Sequence, residues 1–205
     1  LLSNSPYSYI VTFCSSTNSR LRGRIGRALI ATHEYHRALT FYEDAIQDAS
    51  AHQGGSLERV GLSHDLAGLY TRLGKLDESE KVLRQALRNK SEKEDLTDMQ
   101  HNVSSLILLA DVQLHGIINL NGVSRVDFSP QITASTSSIY KNAFETLQSA
   151  YDVQKAIVHH SRSRIGVSGG ENSTVVLEKS ILSDLCRKMA LITKCGDALP
   201  NEERV

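Results

Sequence analysis

The residues whose type and spacing bear most directly on chemistry are Arg20, Arg24 and Arg27, four and three apart, with Arg22 beside them. On a helix the three fall on one face. A guanidinium is a planar fork matched to a carboxylate, so such a face can receive an acidic segment of another protein. The same pattern also fits a solvated basic face beside Glu34 and Asp44, since charge runs commonly serve solubility alone. Both readings stand at the level of sequence.

Other constellations are weaker. His33 and His36 are three apart and His159 adjoins His160, but no cysteine or carboxylate set converges on either pair, so solvated histidines are expected and no metal site. Gly166, Gly169 and Gly170 lack the Gly-Lys-Ser/Thr of a phosphate loop and follow no strand pattern, which makes them a linker. Serine, histidine and aspartate all occur, yet in no motif that sets their mutual geometry. Neither an enzyme nor a bound cofactor is expected. The cysteines Cys14, Cys186 and Cys195 are odd in number and widely spaced, which suits free thiols in a reduced cytoplasmic compartment. Cys186 falls among apolar neighbours and is expected in the core. Asn102-Val103-Ser104 and Asn172-Ser173-Thr174 match the glycosylation pattern, which a cytosolic chain never presents to that machinery.

Composition narrows the class further. A chain of 205 residues with 40% hydrophobic residues and three prolines can bury a continuous core from uninterrupted helices, and one all-α domain is expected. Lys+Arg and Asp+Glu both number 23, so no global charge calls for nucleic acid or a membrane surface. No run approaches the roughly 18 apolar residues of a spanning helix, so no direct membrane insertion is expected. The first residues carry no basic leader, and a start without Met points to a piece of a longer chain.

The elements that would position these residues centre on 62–87. Leu62, Leu66, Leu69, Tyr70 and Leu73 recur at helical spacing, Gly74 stops that helix, and Val82, Leu83, Ala86 and Leu87 rebuild an apolar stripe. Asp77 with Glu80 reads as a capping box for the second helix, and Thr97 with Gln100 as another further on. The αα-hairpin repeats. Gly26, Leu29, Tyr35, Ala38, Tyr42 and Ala45 match Ala67, Tyr70, Leu76, Ser79, Leu83 and Ala86 at a constant offset of 41 residues. Small residues at the crossings let backbones approach while large ones fill the adjoining gaps. Tyr140, Ala143, Leu147 and Ala150 repeat the spacing a third time.

This alternation resembles the tetratricopeptide repeat, although 41 exceeds the usual period of about 34 because of a polar link around Gly54-Gly55. The resemblance implies helical hairpins stacked in a right-handed α-solenoid. An irregular lead-in is expected over 1–19, repeats over 20–52, 57–93 and 97–160, the last interrupted by an inserted loop at 116–138. A linker at 161–173, the first helix of a following repeat at 174–195, closed by Gly196 and Pro200, and a tail at 196–205 complete the expectation.

Longer runs resemble one family more closely. Ile25–Tyr35 with Ala38–Ala45, then Asp65-Leu66-Ala67-Gly68-Leu69-Tyr70, Glu80–Leu87 and Leu108-Leu109-Ala110-Asp111-Val112 are similar in order to the tetratricopeptide repeat protein 21 family, a subunit of intraflagellar transport complex A. The inserted loop and both ends depart from it. The resemblance implies a non-catalytic scaffold of cilium or flagellum, partnered by other subunits of that complex and acting in retrograde movement and cargo entry. A stand-alone adaptor holding a peptide in its concave groove is the alternative. Peptide-capturing repeats present Lys and Asn from their first helices, and the matching places here hold Gly23, Arg27 and Asp65; Asp65 would repel an acidic chaperone tail. The repeat register puts Arg20, Arg24 and Arg27 on the concave side. The helix over 174–195 carries a stripe wide enough for two neighbours, so Met189 and Ile192 are expected to be exposed for a partner.

Overall fold

The computed structural model describes residues 6–50, 56–88, 95–115, 134–164 and 173–197, with side-chain surroundings over 18–50, 57–88, 95–115, 138–161 and 176–193. Every regular element among them is an α-helix: α1 (Pro6–Ala31), α2 (Tyr35–Ser50), α3 (Ser56–Arg72), α4 (Leu76–Arg88), α5 (Leu96–Gln113), α6 (Ala134–Arg164) and α7 (Ser173–Asp197). The all-α, helical-repeat class follows. Instead of the single domain expected, the helices gather into two compact units, Leu1–Glu92 and Lys93–Val205.

In the first unit α1 packs on α2, α3 on α4, and α2 on α3, with α1 touching α3. The small–large register carries the packing. Ala38, Tyr42, Ala45, Ser79 and Leu83 are fully buried, and Ala86 nearly so. Gly26 is small because Tyr42 is large: a Cβ on Gly26 would lie 2.9 Å from the tyrosine ring. In the second hairpin Ser79 sits where Ala38 does and donates to the Ala67 carbonyl at 2.9 Å, so its buried hydroxyl is satisfied at the crossing.

Both hairpins turn the same way. His33 and Gly74 take positive φ, 63° and 72°, directly after α1 and α3. Their amides bond back to Ile30 and Thr71, and the following amides, of Glu34 and Lys75, bond back to Leu29 and Tyr70, which is the Schellman arrangement twice over. Glycine adopts that conformation without penalty; His33 does so held by a 2.7 Å contact between its Nδ1 and the Tyr35 hydroxyl.

Several local expectations are corrected. The irregular lead-in at 1–19 is helical from Pro6, whose fixed φ and missing N–H suit a first helical position. Asp77 lies inside the first turn of α4, which starts at Leu76, and Glu80 is held by Arg84 at 2.6 Å; the capping box is not formed. For α5 the cap is Asp95, accepting from the Asp98 amide at 2.8 Å, and Thr97 is already helical. Of the loop at 116–138, residues 134–138 belong to α6, and 116–133 lie outside the described residues. The linker at 161–173 is shorter at both ends, since α6 runs to Arg164 and α7 starts at Ser173; 165–172 lie outside the described residues. Gly196 does not stop α7, which continues to Asp197, and Pro200 and the rest of the tail from 198 lie outside the described residues.

In the second unit α6 packs between α5 and α7. Its core joins Ala110 and Leu114, Tyr140, Ala143, Leu147 and Ala150, and Leu185 and Ile192. Tyr140, Ala143, Leu147 and Ala150 are the same small–large alternation that Tyr35, Ala38, Tyr42 and Ala45 make in the first unit.

Candidate protein-interaction surface

Arg20, Arg24 and Arg27 do converge. Together with Gly23 on α1 and Glu58, Gly61 and Leu62 on α3, they line a depression of about 300 Å³ between the two helices. Their charges are not equally available. Arg20 Nε lies 3.4 Å from Glu58, whose other carboxylate oxygen accepts from Ser19 at 2.7 Å. Arg27 donates from Nε and Nη2 to one oxygen of Asp65, both at 2.8 Å. Asp65 was expected to repel an acidic ligand, but its charge is met by Arg27. Arg22 points the other way, to Asp44 at 3.1 Å and Asp48 at 3.4 Å on α2. Glu34 is occupied at the turn, where a hydrogen bond from Arg37 and a second from Thr32 hold its carboxyl below the usual range. Arg24 is left exposed.

The buried Tyr42 hydroxyl is near enough to the Arg27–Asp65 pair to feel both charges. The hydrogen bond from Arg27 to Asp65, and then their mutual attraction, raise the guanidinium above its ordinary value. Burial pushes the Tyr42 hydroxyl up to about 12, with Asp65 adding to the shift and Arg27 opposing it. Tyr70 is likewise raised to about 12, first by burial and then by donating to Glu43 Oε1 at 2.9 Å, a contact that ties α3 to α2. A phenol held protonated is a poor base and a poor nucleophile near neutral pH. Glu58 escaped the sequence reading. Its signal is the offset of 38 residues shared by Arg20–Glu58 and Arg27–Asp65, which differs from the repeat offset of 41 because α1 and α3 meet side by side, not in register.

The exposure expected on α7 is not found at Ile192, which is 2% exposed and belongs to the core, and Met189 is partly buried and packs against that core. Among the described residues the large apolar side chains of this helix that are exposed are Val176 and Leu177, 51% and 62% exposed. Cys186 is exposed instead of buried. The buried line of α7 passes through Glu178, Leu185, Lys188 and Ile192, so two charged residues sit where apolar ones were expected. Lys188 Nζ reaches Asp111 on α5 at 3.5 Å and Asp184 at 3.8 Å. Glu178 accepts from the Ser161 hydroxyl at 3.1 Å, and its backbone carbonyl accepts from Gln154 at 3.2 Å.

A second depression of about 750 Å³ lies in the second unit beside the start of α5 and the last turns of α6, lined by acidic, basic and apolar groups including Asp95, Asp152, Met99 and His159. Among the described residues no group of three or more histidine, cysteine or acidic side chains is placed to hold a metal. Nor is any described helix long and apolar enough to cross a membrane.

Residues 21–197 match the model of the fourth ARM domain of tetratricopeptide repeat protein 21. Mouse tetratricopeptide repeat protein 21A is 38% identical over 95 residues, 46% of this chain and 7% of that protein. Mouse tetratricopeptide repeat protein 21B is 35% identical over 92 residues, 45% of this chain and 6% of that protein. The chain thus spans only a small part of the length of these relatives. A crystal structure of kinesin light chain TPR-like repeats from Podosopora anserina covers 90% of this chain and 99% of that one at 13% identity, with a TM-score of 0.36, too low to bear on the argument. With the family model covering most of the chain, and with the ordered runs around Ala38, Ala67 and Ala86 buried as repeat crossings, this chain belongs to the tetratricopeptide repeat protein 21 family.

Proposed function

We propose that the chain is a segment of a subunit of intraflagellar transport complex A, a non-catalytic scaffold that holds neighbouring subunits during retrograde transport and entry of ciliary cargo. It works in the cytoplasm and the cilium or flagellum, with other complex A subunits as partners and without nucleic acid or membrane insertion. The observation that carries the proposal is the family match across 21–197. The hairpins support it: their small–large crossings are spent on the fold, and helix faces are left free for extended contacts. The repeat limits 20–52, 57–93 and 97–160 belong to the same proposal. Capture of a free chaperone tail is disfavoured because the matching places hold Gly23, Arg27 and Asp65 rather than the Lys and Asn that fork around a terminal carboxylate.

Full-length protein, intact or lacking residues 21–197, tagged and recovered from ciliated cells, tests this. The intact form brings down the other complex A subunits, and the deletion loses some of them or slows retrograde movement. Recovery of the intact protein without any of those subunits contradicts the proposal.

A further inference from the structure

The depression between α1 and α3 is walled by guanidiniums in two different conditions. Arg20 and Arg27 are held by Glu58 and Asp65, two rungs seven residues apart along both helices. Arg24, between them, is exposed and forms no ion pair or hydrogen bond with a described residue. The floor is bare. Gly23 is glycine for a packing reason, since a Cβ there would stand 2.6 Å from Leu62 Cδ2. Gly61 has no such reason: a Cβ would meet nothing within 4 Å, and its φ is not in the left-handed region. Gly68 on the same helix is equally unobstructed, so what sets Gly61 apart is its place in the lining of the depression. At 61 it leaves part of the depression that Arg24 also lines without a side chain.

We propose that this depression docks an acidic segment of a partner protein, seating a glutamate or aspartate side chain against Arg24 over the bare floor at Gly61. The rungs serve as fixed walls. Arg20 spends one N–H on Glu58 and Arg27 spends Nε and Nη2 on Asp65, so both keep donors to spare, and their side chains remain 74% and 63% exposed. Pairing also immobilises them, which lowers the ordering cost when a ligand arrives. With Glu58 and Asp65 each meeting one arginine, the positive charge left over is that of Arg24, so the complementary occupant is an acidic side chain. The proposal names a surface and a partner chemistry and does not depend on the transport assignment.

The test titrates the 205-residue chain with a capped, amidated peptide of alternating glutamate and glycine at low salt, with the lysine–glycine peptide as control. Capping removes the terminal carboxylate, so a response reports side chains. Three variants separate the outcomes: Arg24→Glu, Gly61→Leu, and Arg88→Glu, an exposed arginine on α4 with the same change of net charge. The acidic peptide binds, and both Arg24→Glu and Gly61→Leu weaken it roughly tenfold or more, as expected for loss of a charge-assisted contact. Arg88→Glu changes it less than about twofold by screened attraction alone. Gly61→Leu retains the parent's helicity and melting temperature, because the site is open. No binding of the acidic peptide, equal weakening by Arg88→Glu, or full binding by a folded Gly61→Leu variant each overturns the proposal.

Discussion

The two units use the same crossings and place their charges oppositely. In the first, Arg20, Arg22 and Arg27 meet carboxylates at the surface, and the buried crossings are Ala38, Tyr42, Ala45, Ser79 and Leu83. In the second, Lys188 and Glu178 lie on the buried face of α7, where Lys188 binds Asp111 across to α5. Surface pairs are screened and contribute little; a buried pair repays its desolvation only when the geometry is kept, and so it penalises any slip of one helix along another. The first unit leaves its charges where a partner can meet them. The second uses charge internally to set the position of α7.

The largest expected effect breaks the internal pair from one side. Asp111→Ala leaves the Lys188 ammonium buried with only Asp184 3.8 Å away, and costs about 2–4 kcal/mol by chemical denaturation, a little under the range for an orphaned buried charge because Asp184 remains. Replacing both partners at once, Asp111→Leu with Lys188→Met, removes the charges together and is neutral or slightly stabilising. Next comes overpacking in the first unit. Gly26→Ala puts a methyl against the Tyr42 ring and lowers stability by about 1–3 kcal/mol, read as a shift in denaturation midpoint.

Alkaline pH sharpens the comparison. Tyr42 and Tyr70 ionise near 10.0 when unfolded and near 12 when folded, so the protonated form is favoured by the fold. Stability from this source is complete below pH 10 and is lost as pH rises toward 12. Tyr42→Phe, measured by denaturant titration across that window, declines less steeply than the parent. A smaller effect belongs to the first turn: His33→Gly relieves the positive φ but gives up the contact with Tyr35, for a net gain of at most about 1 kcal/mol in thermal unfolding.

Much of this was legible before any coordinates. The crossings were, because small and large residues at 26, 38, 42 and 45 recur 41 places later and backbones can approach only where side chains are small. The turn after Arg72 was legible through Gly74, and the offset of 41 puts its twin at His33; the positive φ there was not legible, since histidine does not call for it as glycine does. The arginine trio was legible as a face. Its partners were not, because Glu58 and Asp65 lie on a different helix at an offset that only packing sets. For α7 the apolar stripe was read too broadly: Cys186 and Met189 seemed core and surface respectively, whereas the line through 178, 185, 188 and 192 turned inward and took Glu178 and Lys188 with it. Charged residues at buried spacing read as solvated until a partner such as Asp111 is seen.

A pair of double-mutant cycles measures the contrast most directly, one on Lys188 and Asp111, the other on Arg27 and Asp65, each followed by denaturant unfolding in low and high salt. Charge that is internal in one unit and external in the other predicts a coupling of about 1.5–3 kcal/mol for the buried pair that salt hardly changes. For the exposed pair it predicts less than about 1 kcal/mol, falling further in salt. An exposed pair coupled as strongly as the buried one, or a buried pair whose coupling vanishes in salt, would contradict it.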